Sequence, residues 1–204
     1  QHQWRMQLQA EARSRIQALQ ARIRPHFLFN SMNTIAALTR SQPDVAEEAI
    51  QDLSDLFRAS LNNSFERSTL AEELELAHRY LNIESLRLGS RLRVEWDMDG
   101  VPPDTRVPPL VLQPLLENAI YHGIEPLPDG GLIRVTGAVQ NGMVDISIIN
   151  PVPARESVDS EGNRIAQDNI HQRLQLAFGA RAGLEVSRSG GEYRVTIQFP
   201  ETQP

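Results

Sequence analysis

As far as Gly89 the apolar residues of this chain recur every three or four positions, and beyond it they alternate. A chain with that break puts its helices first and builds a sheet from its second half. Trp4, Leu8, Ala12, Ile16, Leu19 and Ile23 form a stripe of coiled-coil type on one long helix, with arginine and glutamine between them. Pro25 predicts a kink, after which Phe27, Leu28, Met32, Ile35 and Leu38 carry the pattern to a stop near Ser41-Gln42-Pro43. Pro43 suits a first helical position and opens a second helix, with Val45, Ala49, Ile50, Leu53, Leu56, Phe57, Ser60 and Leu61 along one face. Two such helices joined by a short turn cannot bury both stripes alone. A second copy, closing a four-helix bundle, solves the problem.

Thr69-Leu70-Ala71-Glu72 reads as a capping box opening a third helix to about Leu88, with Leu74, Ala77, Leu81 and Ile83 inward. Leu92, Val94 and Trp96 then alternate as a strand, and Pro102-Pro103 and Pro108-Pro109 bracket a loop. Residues 109–123 return to helix, 132–139 and 143–149 read as strands, 165–178 as helix, and two strands end at Pro200. The fold class is α+β: a helical hairpin, then a mixed sheet with helices on one face. The expected domains are 1–66, a linking helix over 67–90, and 91–204.

Cysteine is absent, which excludes a thiol nucleophile, a disulfide framework and thiolate-bound zinc. All 20 basic residues are arginine, which excludes a Walker lysine and a Schiff-base lysine. The five histidines are scattered without the close pairing of a metal cage. Residues 1–24 hold five arginines and one acid, a balance of +4, leaving −10 for the rest of a chain whose net charge is −6. That acidic bulk argues against direct nucleic-acid binding. The basic leader suits either a solvated helix face or a segment just inside a membrane anchor. No apolar run approaches the about 18 residues that a membrane helix needs, and with Gln1 in place of an initiator methionine and no signal peptide the chain reads as an excised fragment.

Two clusters carry chemistry. His26 and Asn30 lie one helical turn apart, so the carboxamide can bond the imidazole. The histidine is either a half-buried side chain satisfied by its neighbours or a nucleophile, since neutral imidazole attacks phosphorus and holds it as a labile phosphoramidate. In Gln113-Pro114-Leu115-Leu116-Glu117-Asn118-Ala119-Ile120-Tyr121-His122-Gly123, Glu117, Asn118 and His122 fall along one side of a helix. They form either the polar face of an amphipathic helix or a set able to orient a nucleophile, hold hydrated Mg²⁺ and meet a phosphate.

Arg24-Pro25-His26-Phe27-Leu28-Phe29-Asn30-Ser31-Met32-Asn33 resembles the phosphoacceptor box of the LytS-type bacterial sensor histidine kinases. Leu112 to Gly123 resembles their N box, and Leu74 to Arg87, with Tyr80-Leu81-Asn82-Ile83-Glu84, their linking helix. The resemblance covers about 20–200, and its nearest branch is AlgZ/FimS. It implies a dimeric histidine-phosphotransfer hairpin followed by a GHKL (Bergerat) ATP-binding sandwich. By position, His26 would accept the phosphoryl group, Glu117 would polarise or position the reacting group, Asn118 would hold Mg²⁺ and His122 would approach the phosphates. The implied partners are a second copy and a LytTR-type response regulator, and the implied ligands are ATP and Mg²⁺.

The family pattern breaks in the ATP lid. Where those kinases carry Asp-x-Gly-x-Gly, this chain has Asn150-Pro151-Val152-Pro153-Ala154. Asn150 can accept from the adenine amino group without charge assistance, at a cost on the order of 1 kcal/mol. Gly162-Asn163-Arg164-Ile165-Ala166-Gln167-Asp168-Asn169 keeps only the first glycine and final asparagine of the second glycine box. Arg164 and Arg173 are either solvated surface residues or clamps on the phosphates. The losses keep a second function open, a degenerate kinase acting as a dimeric regulator-binding or phosphatase module. A GHKL ATPase of the gyrase or chaperone kind lacks the upstream histidine box.

Overall fold

The computed structural model describes residues 25–61, 68–153 and 161–201, with 161–165 described by backbone alone. The expected stripe from Trp4 to Ile23, and with it the kink at Pro25, lies outside these residues. Two compact units divide the chain. Of the described residues, one holds 25–61 together with 82–87, and the other holds 68–81, 88–153 and 161–201.

The first unit is built on helices α1 (Pro25–Leu38) and α2 (Pro43–Leu61). The amides of Ser41 and Gln42 both donate to Leu38 O, at 3.1 and 2.8 Å, and turn the chain. Pro43 then starts α2 as its sequence predicts, because the first turn of a helix has no use for that missing N–H. Ile35, Ala46 and Ala49 form a small core, with Leu38, Leu53 and Leu86 packed on it. Ile50 and Leu61, expected on this buried face, are instead 50% and 53% exposed, and Met32 and Phe29 of α1 are exposed as well. One step along a helix turns the side chain by about 100°. Ile50 therefore leaves the line of Ala46, Ala49, Leu56 and Ser60, and the apolar stripe is wider than this one chain covers.

The second unit opens with β1 (Ser68–Thr69) and with α3 (Leu70–Leu88), of which residues 82–87 count with the first unit. The capping box forms: the Thr69 amide donates to Glu72 Oε2 at 2.9 Å, and the Glu72 amide to Thr69 Oγ1 at 3.2 Å. Those bonds, the Thr69 amide foremost and the Ser68 hydroxyl next, hold the Glu72 carboxyl below its ordinary range. Leu70, Glu73, Ala77, Tyr80 and Leu81 make the buried side of α3, while Leu74 is half-buried.

Strands β2 (Leu92–Gly100), β4 (Gly131–Gln140), β5 (Met143–Pro151), β6 (Gly183–Ser189) and β7 (Glu192–Pro200) form one sheet in the order β2-β4-β5-β7-β6. The β2–β4 pair is parallel and the others are antiparallel. The loop between the proline pairs also holds a short strand, β3 (Arg106–Val107), paired with β1. Helix α4 (Leu112–Ala119) continues as a π-helical turn over Ile120–Ile124, and α5 (Glu161–Phe178) follows β5. Alternate strand residues, among them Ile133, Val135, Ile146, Ile148, Val195, Ile197 and Phe199, are buried. Phe199 stacks on Phe178 of α5 with ring centroids 5.0 Å apart, which marks the helix-covered face. The helical hairpin and α/β sandwich expected from the sequence are both present. No helix among the described residues is long and apolar enough to cross a membrane.

Candidate functional site

In the hairpin unit, Phe27, Ser31 and Ile35 face inward, which turns His26 outward in the first turn of α1. The ring is exposed, and Asn30 Nδ2 lies 3.2 Å from each of its nitrogens. The bond predicted from the four-residue spacing therefore exists. An exposed imidazole steadied by a neighbouring amide can meet an incoming electrophile without being drawn out of a core.

In the sandwich unit, α4 buries almost its whole circumference, polar residues included: Gln113, Glu117 and Asn118 are all under a tenth exposed. Gln113 Nε2 donates to Glu117 Oε1 at 2.9 Å and fixes the carboxylate's rotamer. Gln113 Oε1 is itself buried with no hydrogen-bond partner among the described residues, so its acceptor capacity is left unused by the fold. The helix then widens. The Glu125 amide donates to Ile120 O at 2.9 Å, one residue further than an α-helix allows. His122, half-buried, sits in this turn with its ring edge-on to Tyr121, centroids 4.8 Å apart.

The π turn also brings Gly123 against the end of β5. A Cβ there would stand 2.2 Å from Asn150 Nδ2 and 2.9 Å from Pro151 O. Asn150 is 4% exposed, and its Nδ2 donates to Pro151 O at 2.8 Å. The fold thus juxtaposes Asn150 with the end of the helix that carries Glu117, Asn118 and His122. Asn150 and Pro151 do not form a free turn: they pair with Tyr193 and Glu192 of β7, and the Val152 amide donates to Gly191 O at 2.8 Å. Proline fits at that point because it ends the strand.

The remaining candidates lie on or beside α5. Gly162 and Arg164 fall in its first turns, and their side chains lie outside the described residues, as does Ala154 of the lid. The helix starts before 165 because Arg164 and Ala166, both good helix formers, stand where glycines would break it. Asn169 is exposed on α5. Arg173 donates from Nη1 to Pro109 O at 3.1 Å, just before α4.

The sequence reading missed Glu73. Its side chain, 1% exposed, accepts from the amides of Leu110 (2.6 Å), Val111 (2.8 Å) and Leu112 (3.2 Å), the entry to α4. Burial, the dominant effect, holds its carboxyl above the ordinary range, although those three donors and the Arg173 guanidinium pull it back. The signal was present: Leu70, Glu73, Ala77 and Tyr80 share one helical face, and an acid on an apolar face needs partners.

Among the described residues no three His, Asp or Glu side chains gather as a metal cage. A carboxylate and a carboxamide next to each other instead suit Mg²⁺, which retains water and takes further oxygens from phosphates. The residues present fit a nucleotide that arrives with its cation.

A family model for histidine kinases matches residues 14–92. The sensor histidine kinase BtsS of Escherichia coli is 33% identical over 188 residues, covering 92% of this chain and 33% of that protein. The sensor protein LytS of Streptococcus agalactiae is 32% identical over 197 residues, covering 91% and 34%. The chain therefore spans about a third of the length of the curated relatives it matches. The histidine kinase AdeS of Acinetobacter baumannii has the same fold, at 18% identity and a TM-score of 0.51 over 95% of this chain and 98% of that one. With the phosphoacceptor and N boxes in order along one polypeptide, the chain belongs to the LytS-type sensor histidine kinase family.

Proposed function

We propose that this chain is the cytoplasmic catalytic region of a two-component sensor kinase that phosphorylates His26 from ATP and passes the group to an aspartate of a LytTR-type response regulator. A neutral ring nitrogen of His26 forms a bond to the γ-phosphorus as the bond to the β–γ bridging oxygen breaks. ADP leaves, and the proton on the other ring nitrogen is lost to a base. The regulator carboxylate then attacks phosphorus and breaks the P–N bond while the ring takes a proton back, which restores the neutral imidazole. Positioning and charge neutralisation supply most of the catalysis in such transfers.

Asn30 orients the imidazole. Glu117 positions the reacting group, Asn118 holds Mg²⁺, and His122 approaches the phosphates. Asn150 meets the adenine amino group, with Gly162, Arg164, Asn169 and Arg173 around the phosphate end. The cation, when bound, neutralises charge on the phosphates. Residues 1–66 serve as the dimerising phosphotransfer hairpin, 67–90 as the linking helix and 91–204 as the ATP-binding domain. Exposed Phe29, Met32, Ile50 and Leu61 suit a second copy as the cover of the hairpin. In the full-length protein an anchor would tether the fragment to the inner membrane.

The observation that carries this reading is the buried Gln113–Glu117–Asn118 set, polar groups that a helix serving only as packing would not hold in its interior. The test is calorimetric titration with ATP and Mg²⁺. Submillimolar binding that weakens about tenfold or more in Asn118→Ala supports the kinase. No binding supports the other reading, a degenerate module that binds or dephosphorylates the regulator. That second reading rests on Asn150 and Pro151, which are paired into the sheet where a pliable lid turn is expected.

A further inference from the structure

Helix α4 has no cap of its own. Its N-cap residue is Val111, whose side chain offers no acceptor, and the preceding Leu110 sits at φ 55°, a left-handed conformation that leucine rarely takes. The three amides at this entry all turn to one carboxylate on a different helix, Glu73 of α3, whose side chain is buried. Arg173 of α5 donates to Pro109 O at the same entry, near enough for its charge to act on Glu73. A serine or aspartate at position 111 would cap the helix locally. Here the start of α4 is tied instead to two other helices.

The geometry points to Glu73 as the positioning residue of the nucleotide site: by gripping Leu110–Leu112 it sets the register from which Gln113, Glu117 and Asn118 project. This rests on the nucleotide-binding reading above. Asn118 lies six residues beyond Leu112, about 9 Å along the axis, so a small tilt at the helix entry displaces its amide. The anion also sits where the helix dipole is positive, which strengthens the grip. Glu73 does not itself touch the ligand. It acts through the backbone of the helix that does.

The experiment uses the whole chain and two variants, Glu73→Gln, which keeps the shape and loses the charge, and Glu73→Asp, which keeps the charge and withdraws it by one methylene. Both are studied well below their melting temperatures. Amide hydrogen exchange is followed over residues 110–119, and ATP affinity is measured with and without Mg²⁺. We expect Glu73→Gln to speed exchange from Leu110 into the Gln113–Ala119 helix and to cut the Mg²⁺-dependent gain in ATP affinity about tenfold. Glu73→Asp should fall between it and the parent.

A fold merely loosened elsewhere would not single out the Mg²⁺-dependent part of binding. Unchanged exchange in a folded Glu73→Gln, exchange confined to Leu110–Leu112, or an unchanged Mg²⁺ effect would each overturn the assignment. If the parent chain binds no ATP, the kinase reading fails separately, and the spread of exchange into Gln113–Ala119 alone decides the role of Glu73. Should Glu73→Gln not fold, the same two readouts on Glu73→Asp decide it.

Discussion

Replacing Gly123 by alanine sets two forces against each other. In an ordinary helical position the change stabilises by about 0.8–1 kcal/mol, because alanine loses less backbone entropy. Here the new methyl would stand 2.2 Å from Asn150 Nδ2, 2.8 Å from its Cγ and 2.9 Å from Pro151 O. The amide cannot simply swing aside, since Asn150 is buried and bonded to Pro151 O, and Pro151 is paired into the sheet. Overpacking of this kind costs about 1–3 kcal/mol, and a buried amide pushed off its partner about 1–3 kcal/mol more. Set against the helical gain, the net effect is destabilisation by about 1–5 kcal/mol. For a chain of this size each kcal/mol lowers Tm by roughly 2–4 °C. Thermal unfolding of Gly123→Ala beside Gly183→Ala, whose new methyl meets nothing within 4 Å, isolates the clash. The control should stay within about 0.5 kcal/mol of the parent. A Gly123→Ala protein that melts at or above the parent temperature would refute the reasoning.

Thr69→Ala removes one half of the capping box and should cost about 1 kcal/mol, read by denaturant unfolding. Because the Glu72 carboxyl is held below its ordinary 4.5, its contribution is full above that pH and lost as the pH falls through the lowered value. Glu72→Gln should therefore flatten the acid limb of the stability curve. Desolvation holds His78, whose ring lies tilted against Trp96 with centroids 4.3 Å apart, below its ordinary 6.5. The neutral ring contributes stability above pH 6.5 that is lost on acidification, so His78→Gln should weaken the dependence measured from pH 7 to 5. Ile50→Glu and Leu61→Glu should weaken self-association in sedimentation while leaving the helical content intact, because both side chains are exposed in the single chain.

What was legible in the sequence was written locally. Pro43, the Thr69–Glu72 box and the change of period after Gly89 each mark a boundary through the few residues around them, and each boundary forms. The two boxes could be placed on helices for the same reason. Features that depend on a distant partner could not be read. The β1–β3 ladder joins residues nearly forty positions apart through two pairs, too short to show a period. Asn150 and Pro151 belong to β5 because β7 pairs with them, a fact that two prolines in the local sequence conceal. Glu73 follows Glu72 in a charged first turn; its apolar face says that it needs partners, but the partners, Leu110–Leu112, lie nearly forty positions away. The inward set of α2 was misjudged at Ile50 and Leu61 because a wide apolar stripe does not say which part faces its own chain and which faces outward.

Phosphoryl transfer to one imidazole is the central claim, and incubation of the chain with γ-labelled ATP and Mg²⁺ tests it most directly. The account predicts label on the protein that is stable to alkali, labile to acid and absent from His26→Ala. Equal labelling of the parent and His26→Ala, or none in the parent at saturating ATP, would contradict it.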